Sequence, residues 1–275
     1  MSDSLPLRLV LASASPARRK LLQAAGIEPD VLVSGVDESL VVTDRAEDLC
    51  LELARLKAQA VLTRLSPATP PTSPSPGTDP SLSPNAGPGS GPNGGTSTNT
   101  STNTNTNTST STSTSTNTNT NTNQRTLVIG CDSVLAFDGE ILGKPADPAD
   151  ATRRWQRMRG RSGVLHSGHC LIDMATGRRA EAVASTTVHF ADISDDEIAA
   201  YVASGEPLAV AGAFTIDGLG GPFVERIEGD PGTVVGLSMP LLRRLLAELG
   251  LQITDLWTKV APGGQTVEPL GNVRA

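Results

Sequence analysis

The stretch Leu7-Arg8-Leu9-Val10-Leu11-Ala12-Ser13-Ala14-Ser15-Pro16-Ala17-Arg18-Arg19 decides the architecture, because an apolar run gives way there to a helix start. Leu7 to Ala12 has the length and apolar continuity of a buried strand. Ser15 stands where an N-cap belongs, and Pro16 takes the first helical position, where its missing N–H costs nothing. Leu21 and Leu22 face the core and Gly26 ends the helix, completing a strand, tight turn and helix. Working outward, Val31 to Val36 reads as a second strand. Asp44 and Glu47 then form a capping-box-like pair that opens a helix running through Leu65.

From Ser66 to Gln124 the chain changes character. It is built almost entirely of Ser, Thr, Asn, Pro and Gly, with Asp79 its one charged residue, and cannot build a core. This composition predicts a disordered, solvated insertion. Lengthening a loop to this extent costs only about 2 kcal/mol of closure entropy, so one domain tolerates it. The remainder, roughly 216 residues, suffices for one well-buried α/β unit. The expected organisation is therefore a single domain from residues 1–65 and 125–257, the 66–124 insertion, and a 258–275 tail.

Beyond the insertion, Thr126 to Ile129 is a β-branched strand and Ile141-Leu142 a short second one after the Asp138-Gly139 turn. Asp147 caps a helix from Pro148 to about Arg159, stopped by Gly160. Val164–Asp173 and Glu181–Phe190 alternate around Thr176-Gly177 as a hairpin. Ser194 and Glu197 box a helix that ends at Gly205. Phe223–Ile227 reads as a strand, and Pro240–Leu249, capped by Ser238, as the last helix. Helices alternate with strands but hairpins intrude, which predicts an α/β fold with a mixed sheet rather than a parallel one.

The charge balance, 22 Lys and Arg against 29 Asp and Glu for a net of −7, argues against a basic nucleic-acid binder. No apolar run approaches the roughly 18 residues that span a bilayer, and the N-terminus has no signal pattern, so neither membrane nor export is expected. Cys50, Cys131 and Cys170 are odd in number and widely spaced, which fits reduced thiols in a cytoplasmic protein.

Two familiar spacings fail on context. Gly89, Gly91 and Gly94 match a dinucleotide fingerprint but lie in the insertion, without a strand before or a helix after them. Gly139 to Lys144 is too short for a P-loop, and Pro145 stands where a magnesium-binding hydroxyl belongs. Four other segments carry more, each read as a loop closing an apolar run. Ser13 to Arg19 offers hydroxyls, a helix N-terminus and guanidinium, an anion site, although alone it reads equally as a capped helix with solvated arginines. Asp37-Glu38 offers hard carboxylate oxygens for Mg²⁺ or Mn²⁺, or a solvated loop. Asp132 closes a buried strand as a turn cap, base or metal ligand. Lys144, between Gly143 and Pro145, is a turn lysine or a phosphate contact. His166, His169 and His189 read as structural or surface residues. Cys131 beside Asp132 is no nucleophile, since a neighbouring anion raises a thiol's pKa.

Taken together these segments resemble the Maf-like family of nucleoside triphosphate pyrophosphatases, once described as septum formation inhibitors. The resemblance runs from Leu9 to about Leu249 apart from the insertion. It includes Leu11-Ala12-Ser13-Ala14-Ser15-Pro16, Leu53-Ala54-Arg55-Leu56-Lys57-Ala58, Asp132, Gly143-Lys144-Pro145 and Met158-Arg159-Gly160-Arg161. Glu206-Pro207, Ala211-Gly212-Ala213-Phe214, Gly218-Leu219-Gly220, Phe223 to Asp230 and Val234-Val235-Gly236-Leu237 follow in order.

The resemblance implies two lobes of an elongated mixed sheet around a cleft, and hydrolysis of a nucleoside triphosphate to monophosphate and pyrophosphate. Asp132 would be the catalytic carboxylate, and Glu38 with Asp132 would hold a divalent metal. Ser13, Arg18, Lys57 and Lys144 would surround the phosphates. Ala17, Ser133 and Asp217 depart from the residues that better-defined subgroups place at the base-choosing positions. Arg159 and Arg161, on a basic helix face, could border the phosphates. The implied substrates include modified or non-standard nucleotides. A homodimer is left open, as is a non-catalytic nucleotide-binding regulator of septum formation.

Overall fold

The computed structural model describes residues 7–66 and 124–257; the Gly89-Gly91-Gly94 pattern and the tail from 258 lie outside them, as does the insertion except for its end residues. The order is β1 (Leu7–Leu11), α1 (Pro16–Ala24), β2 (Asp30–Val31), a 3₁₀ turn at Glu38–Leu40, α2 (Ala46–Leu65), β3 (Arg125–Phe137), β4 (Glu140–Leu142), α3 (Pro148–Met158), β5 (Ser162–Asp173), β6 (Arg179–Phe190), α4 (Asp195–Ala203), β7 (Val224–Glu228), α5 (Pro231–Val235) and α6 (Met239–Glu248). Among the described residues the strands form one mixed sheet in the order β2-β1-β3-β5-β6-β7, with β4 paired to β3. β1 is parallel to β2 and β3; the remaining pairs are antiparallel. No helix of the described residues is long and apolar enough to cross a membrane.

Local chemistry explains most boundaries. Ser15 Oγ accepts from the Arg18 amide with Pro16 in the first turn, and Ser194 with Glu197 forms a reciprocal capping box. Asp147 and Ser238 cap α3 and α6. Three sequence expectations need correction. The strand expected over Val31–Val36 is only Asp30–Val31: the Leu32 amide donates to the Leu11 carbonyl, after which β1 ends and offers no further partner. The Asp44/Glu47 box does not form. α2 begins at Ala46 after Arg45, and Glu47 instead lies in its first turn, where it favours the helix dipole. The strand expected to end at Ile129 continues to Phe137 because β5 pairs with it from Leu127 to Ala136, overriding the turn-like Gly130-Cys131-Asp132-Ser133.

β3 ties two apolar cores together. Leu9, Leu11, Leu127, Ile129 and Cys131 pack with Leu22 of α1 and Leu242, Leu245 and Leu246 of α6. On the opposite face, Val10 and Val128 pack with Ala54, Ala58 and Val61 of α2, as alternation along a strand requires. Further along, Leu135 and Phe137 join Trp155, Phe190, Ile198 and Tyr201 in a second core built on α3 and α4. Asp132 lies between these cores.

The approach of α2 to the sheet depends on glycine. A Cβ on Gly130 would stand 2.1 Å from the Ala54 carbonyl, and one on Gly168 2.2 Å from the Cys50 carbonyl. Gly168 is the cross-strand partner of Asp132. Gly168→Ala should therefore lower the unfolding free energy by about 1–3 kcal/mol, read from the midpoint of a urea melt.

His169 is fully buried on β5; its Nε2 accepts from the Ser238 amide at 2.9 Å, so Nδ1 carries the proton toward the Ser167 carbonyl at 3.0 Å. Burial pushes its pKa down to about 4. An unfolded chain protonates this imidazole as pH falls below about 6.5, whereas the folded chain does not until about 4. The unfolded state binds the extra proton in that window, so stability falls with pH there, by about 3 kcal/mol in full. Denaturant melts from pH 7 to 4 should show this slope, and His169→Gln should flatten it.

Candidate functional site

The site forms where β3 loses its neighbour. β1 pairs with β3 only as far as Leu11 with Ile129, and β4 begins its pairing at Leu142 with Leu135. Between those pairs no described strand lies on that side of Gly130 to Val134. The turn after β1 and the Gly143-Lys144 segment after β4 face each other across the gap, which opens into a cleft of about 750 Å³, within the usual range for ligand pockets.

Nine of the residues singled out from the sequence line this cleft, Ser13, Ala17, Arg18, Glu38, Lys57, Asp132, Ser133, Lys144 and Asp217, whereas Asp37 does not. Asp132 reaches it from the middle of β3, not from a closing loop as expected, so its carboxyl is held by pairs on both sides of Gly168. Because α2 rests on Gly130 and Gly168, Lys57 is carried to 2.5 Å from Asp132 Oδ1, and its Nζ also lies 2.6 Å from Glu38 Oε1. Lys57 and Asp132 are each only 7% exposed.

Arg18 has a fixed role in the wall. Its Nη1 donates to Ser13 Oγ at 2.9 Å, Nε to the Gly236 carbonyl at 2.8 Å and Nη2 to Ser133 Oγ at 3.0 Å. Ser133 Oγ is 2.7 Å from Ser167 Oγ, which donates to the Thr233 carbonyl. One guanidinium thus joins the β1–α1 turn, β3 and the end of α5, an element the sequence reading missed. Arg154 donates to the Gly143 carbonyl at 2.7 Å, beside Lys144, and was likewise not anticipated. Arg159 and Arg161 do not line the cleft; they pair with Asp195 at 2.7 Å and Asp138 at 3.0 Å, because the C-terminal end of α3 faces those acids. The other wall is apolar, with Val210, Ala211 and Phe214 beside Thr215 and Asp217.

The electrostatics separate the acids. Burial raises the pKa of Asp132, the Lys57 and Arg18 charges offset part of this, Glu38 adds to it, and the net shift is upward. Glu38 is also pulled upward by burial, but Lys57, Lys144 and Arg18 outweigh it and the net shift is downward. Burial pushes the Cys131 thiol up to about 11, so desolvation more than Asp132 keeps it protonated. Glu38 and Asp132 offer hard carboxylate oxygens that could hold a divalent cation, and both contact the Lys57 ammonium. Among the described residues no cluster of three or more His, Cys, Asp and Glu forms a protein-only metal cage.

The Maf-like protein family model matches residues 8–249. A nucleoside triphosphate pyrophosphatase of Salinispora tropica is 68% identical over 259 residues, covering 94% of this chain and 91% of that protein. One from Streptomyces coelicolor is 47% identical, covering 91% of this chain and 94% of its own, and one from Thermosynechococcus vestitus is 44% identical with coverage of 91% and 98%. With its cleft residues converging and its match spanning both sides of the insertion, the chain belongs to the Maf-like protein family.

Proposed function

We propose that this protein hydrolyses nucleoside triphosphates to the monophosphate and pyrophosphate, with a divalent metal. The observation that carries the reading is the convergence of Asp132 and Glu38 on one cationic point in a cleft that also holds Arg18 and Lys144. A triphosphate brings several negative charges, and water approaches phosphorus only after they are neutralised. Lys57, Lys144 and the Ser13 hydroxyl supply cations and a donor to the phosphates, while Arg18 holds the turn that presents Ser13.

Asp132 accepts a proton from water as the water oxygen bonds to the α-phosphorus. The bond from that phosphorus to the bridging oxygen breaks, and pyrophosphate leaves with the electron pair. Glu38 and Asp132 would hold Mg²⁺ or Mn²⁺, which supplies charge neutralisation and polarises phosphoryl oxygens. Ala17, Ser133 and Asp217 line the same cleft and would choose the base, including modified or non-standard bases, with Asp217 on the apolar wall. A non-catalytic regulator of septum formation is the weaker reading, since the acid and the cations that catalysis needs are all present in one cleft and the relatives carry a pyrophosphatase name.

The activity is assigned to one domain from 1–65 and 125–257. Leu65 at the end of α2 and Met174, whose amide donates to Thr126 near the start of β3, pack on the same cluster, so a short linker spans the ends of the 66–124 insertion. Three buried free thiols, raised to between about 11 and 12 by burial, support a reducing, cytoplasmic setting.

Pyrophosphate release from a panel of triphosphates with Mg²⁺ or Mn²⁺ tests the reading; binding without turnover on any of them would leave the regulator. Asp132→Asn should lose about 10² to 10⁴ in kcat. The wild-type kcat/KM should fall at pH low enough to protonate Asp132, since the base acts deprotonated. Lys57→Met removes the offsetting charge and should move that acid limb to higher pH. Replacing residues 67–123 by a short Gly/Ser linker should leave kcat/KM within about twofold while raising stability by about 1–2 kcal/mol.

A further inference from the structure

The wall of the cleft that carries Asp217 has little regular structure of its own. It passes through short 3₁₀ turns at Glu206–Ala209 and Ala211–Ala213, with Gly212 at φ 72° and Ala213 at φ 60°. An alanine in that left-handed region costs about 1 kcal/mol or more and persists only where neighbours hold it. Trp155 Nε1 does so from one side, donating to the Ala213 carbonyl at 2.8 Å.

Glu206 holds the other side without lining the cleft itself. Its Oε1 accepts from Thr215 Oγ1 at 2.6 Å, the Gly220 amide at 3.0 Å and the Tyr201 hydroxyl at 3.1 Å, and its Oε2 accepts from the Leu219 amide at 3.0 Å. The loop lies so close that a Cβ on Gly218 would stand 2.4 Å from Oε2. Tyr201 Oη in turn accepts from the Thr215 amide at 3.2 Å. These bonds grip the loop at Thr215 and at Leu219-Gly220, two residues before and two residues after Asp217. Burial would raise the Glu206 pKa, but the donors outweigh it and the net shift is downward, so the acceptor is ionised at neutral pH.

We propose that Glu206 is a positioning residue for nucleobase discrimination: its carboxylate, from behind the wall, holds the Thr215–Gly220 loop and so fixes Asp217 against the base. The proposal rests on the nucleotide reading above and adds what sets the geometry of the base end. Its signature is a split between the two ends of the substrate, because the Glu206 hydrogen bonds run to Tyr201, Thr215, Leu219 and Gly220 and not to Asp132, Glu38 or Lys144.

Glu206→Gln is the direct variant. Whichever way its amide is turned, the NH₂ faces a backbone N–H or a hydroxyl that formerly donated, so at least one grip on the loop is lost. Tyr201→Phe removes one donor and leaves the carboxylate. In the full chain, KM and kcat would be measured for nucleoside triphosphates differing only in base, and Kd by calorimetry for inorganic tripolyphosphate, which has no base.

Glu206→Gln should raise KM for the preferred nucleotide about tenfold and narrow the spread of kcat/KM among bases, with the tripolyphosphate Kd unchanged within twofold. Tyr201→Phe should shift the spread in the same direction by less, and it carries the test alone if the glutamine variant does not fold. Equal losses toward nucleotides and tripolyphosphate would overturn the proposal in favour of a structural role. An unchanged spread, or a wild type without base discrimination, would overturn it as well. If the wild type binds nucleotides but releases no pyrophosphate, the proposed function fails separately, and the spread of nucleotide Kd values in the same variants decides the role of Glu206.

Discussion

The shared ammonium of Lys57 is the interaction on which the site depends. An isolated carboxylate as deeply buried as Asp132 would be strongly disfavoured, and a buried pair that loses one member typically costs about 3–5 kcal/mol. Lys57 supplies the counter-charge for Asp132 and Glu38 together. It can reach them only because α2 lies against the bare backbone of Gly130 and Gly168. Close helix packing and the placement of the charge are therefore one constraint: side chains at those glycines would move the helix and the cation with it.

A second constraint comes from strand lengths. β3 outruns β1 on one side and meets β4 only later, so a stretch of strand edge faces the cleft instead of another strand. The two apolar cores meet β3 on either side of this stretch. A rigid, doubly supported strand thus presents a carboxylate to an open space, a firmer mounting than a loop would provide. The chain as a whole is acidic, with a net charge of −7, yet three cationic side chains line this one cleft. Attraction for a polyanion is local, and the overall charge says little about it.

The two ends of the cleft are built differently. The end proposed to take the phosphates is built on Arg18, Lys57 and Asp132 of α1, α2 and β3, tied by the Arg18 bonds to Ser13, Ser133 and Gly236. The wall opposite is an irregular loop whose shape comes from Trp155, Tyr201 and Glu206 behind it. Chemistry common to all triphosphates needs the first. Discrimination among bases is proposed to reside in the second, where single substitutions change the wall without disturbing the sheet.

Much was legible in the chain itself, because it rests on contacts between near neighbours. Ser15 with Pro16, Asp147, Ser194 with Glu197 and Ser238 each signal a helix start, and the Thr176-Gly177 hairpin and the apolar runs follow from local pattern. Of the cleft residues, Ser13, Arg18, Glu38, Asp132 and Lys144 were named from their types and local motifs, and Lys57, Ala17, Ser133 and Asp217 from the family resemblance. What local pattern could not supply depends on partners far along the chain. β3 continues past Gly130 because β5 pairs with it, and β2 stops where β1 stops. Arg18 turns inward to Ser133 and Gly236, and Glu206 becomes a loop clamp through residues that surround it only after folding. Residue types settled which chemistry was available; long-range pairing and close packing decided which groups meet, since a hydrogen bond or ion pair is a property of separation in space, not along the sequence.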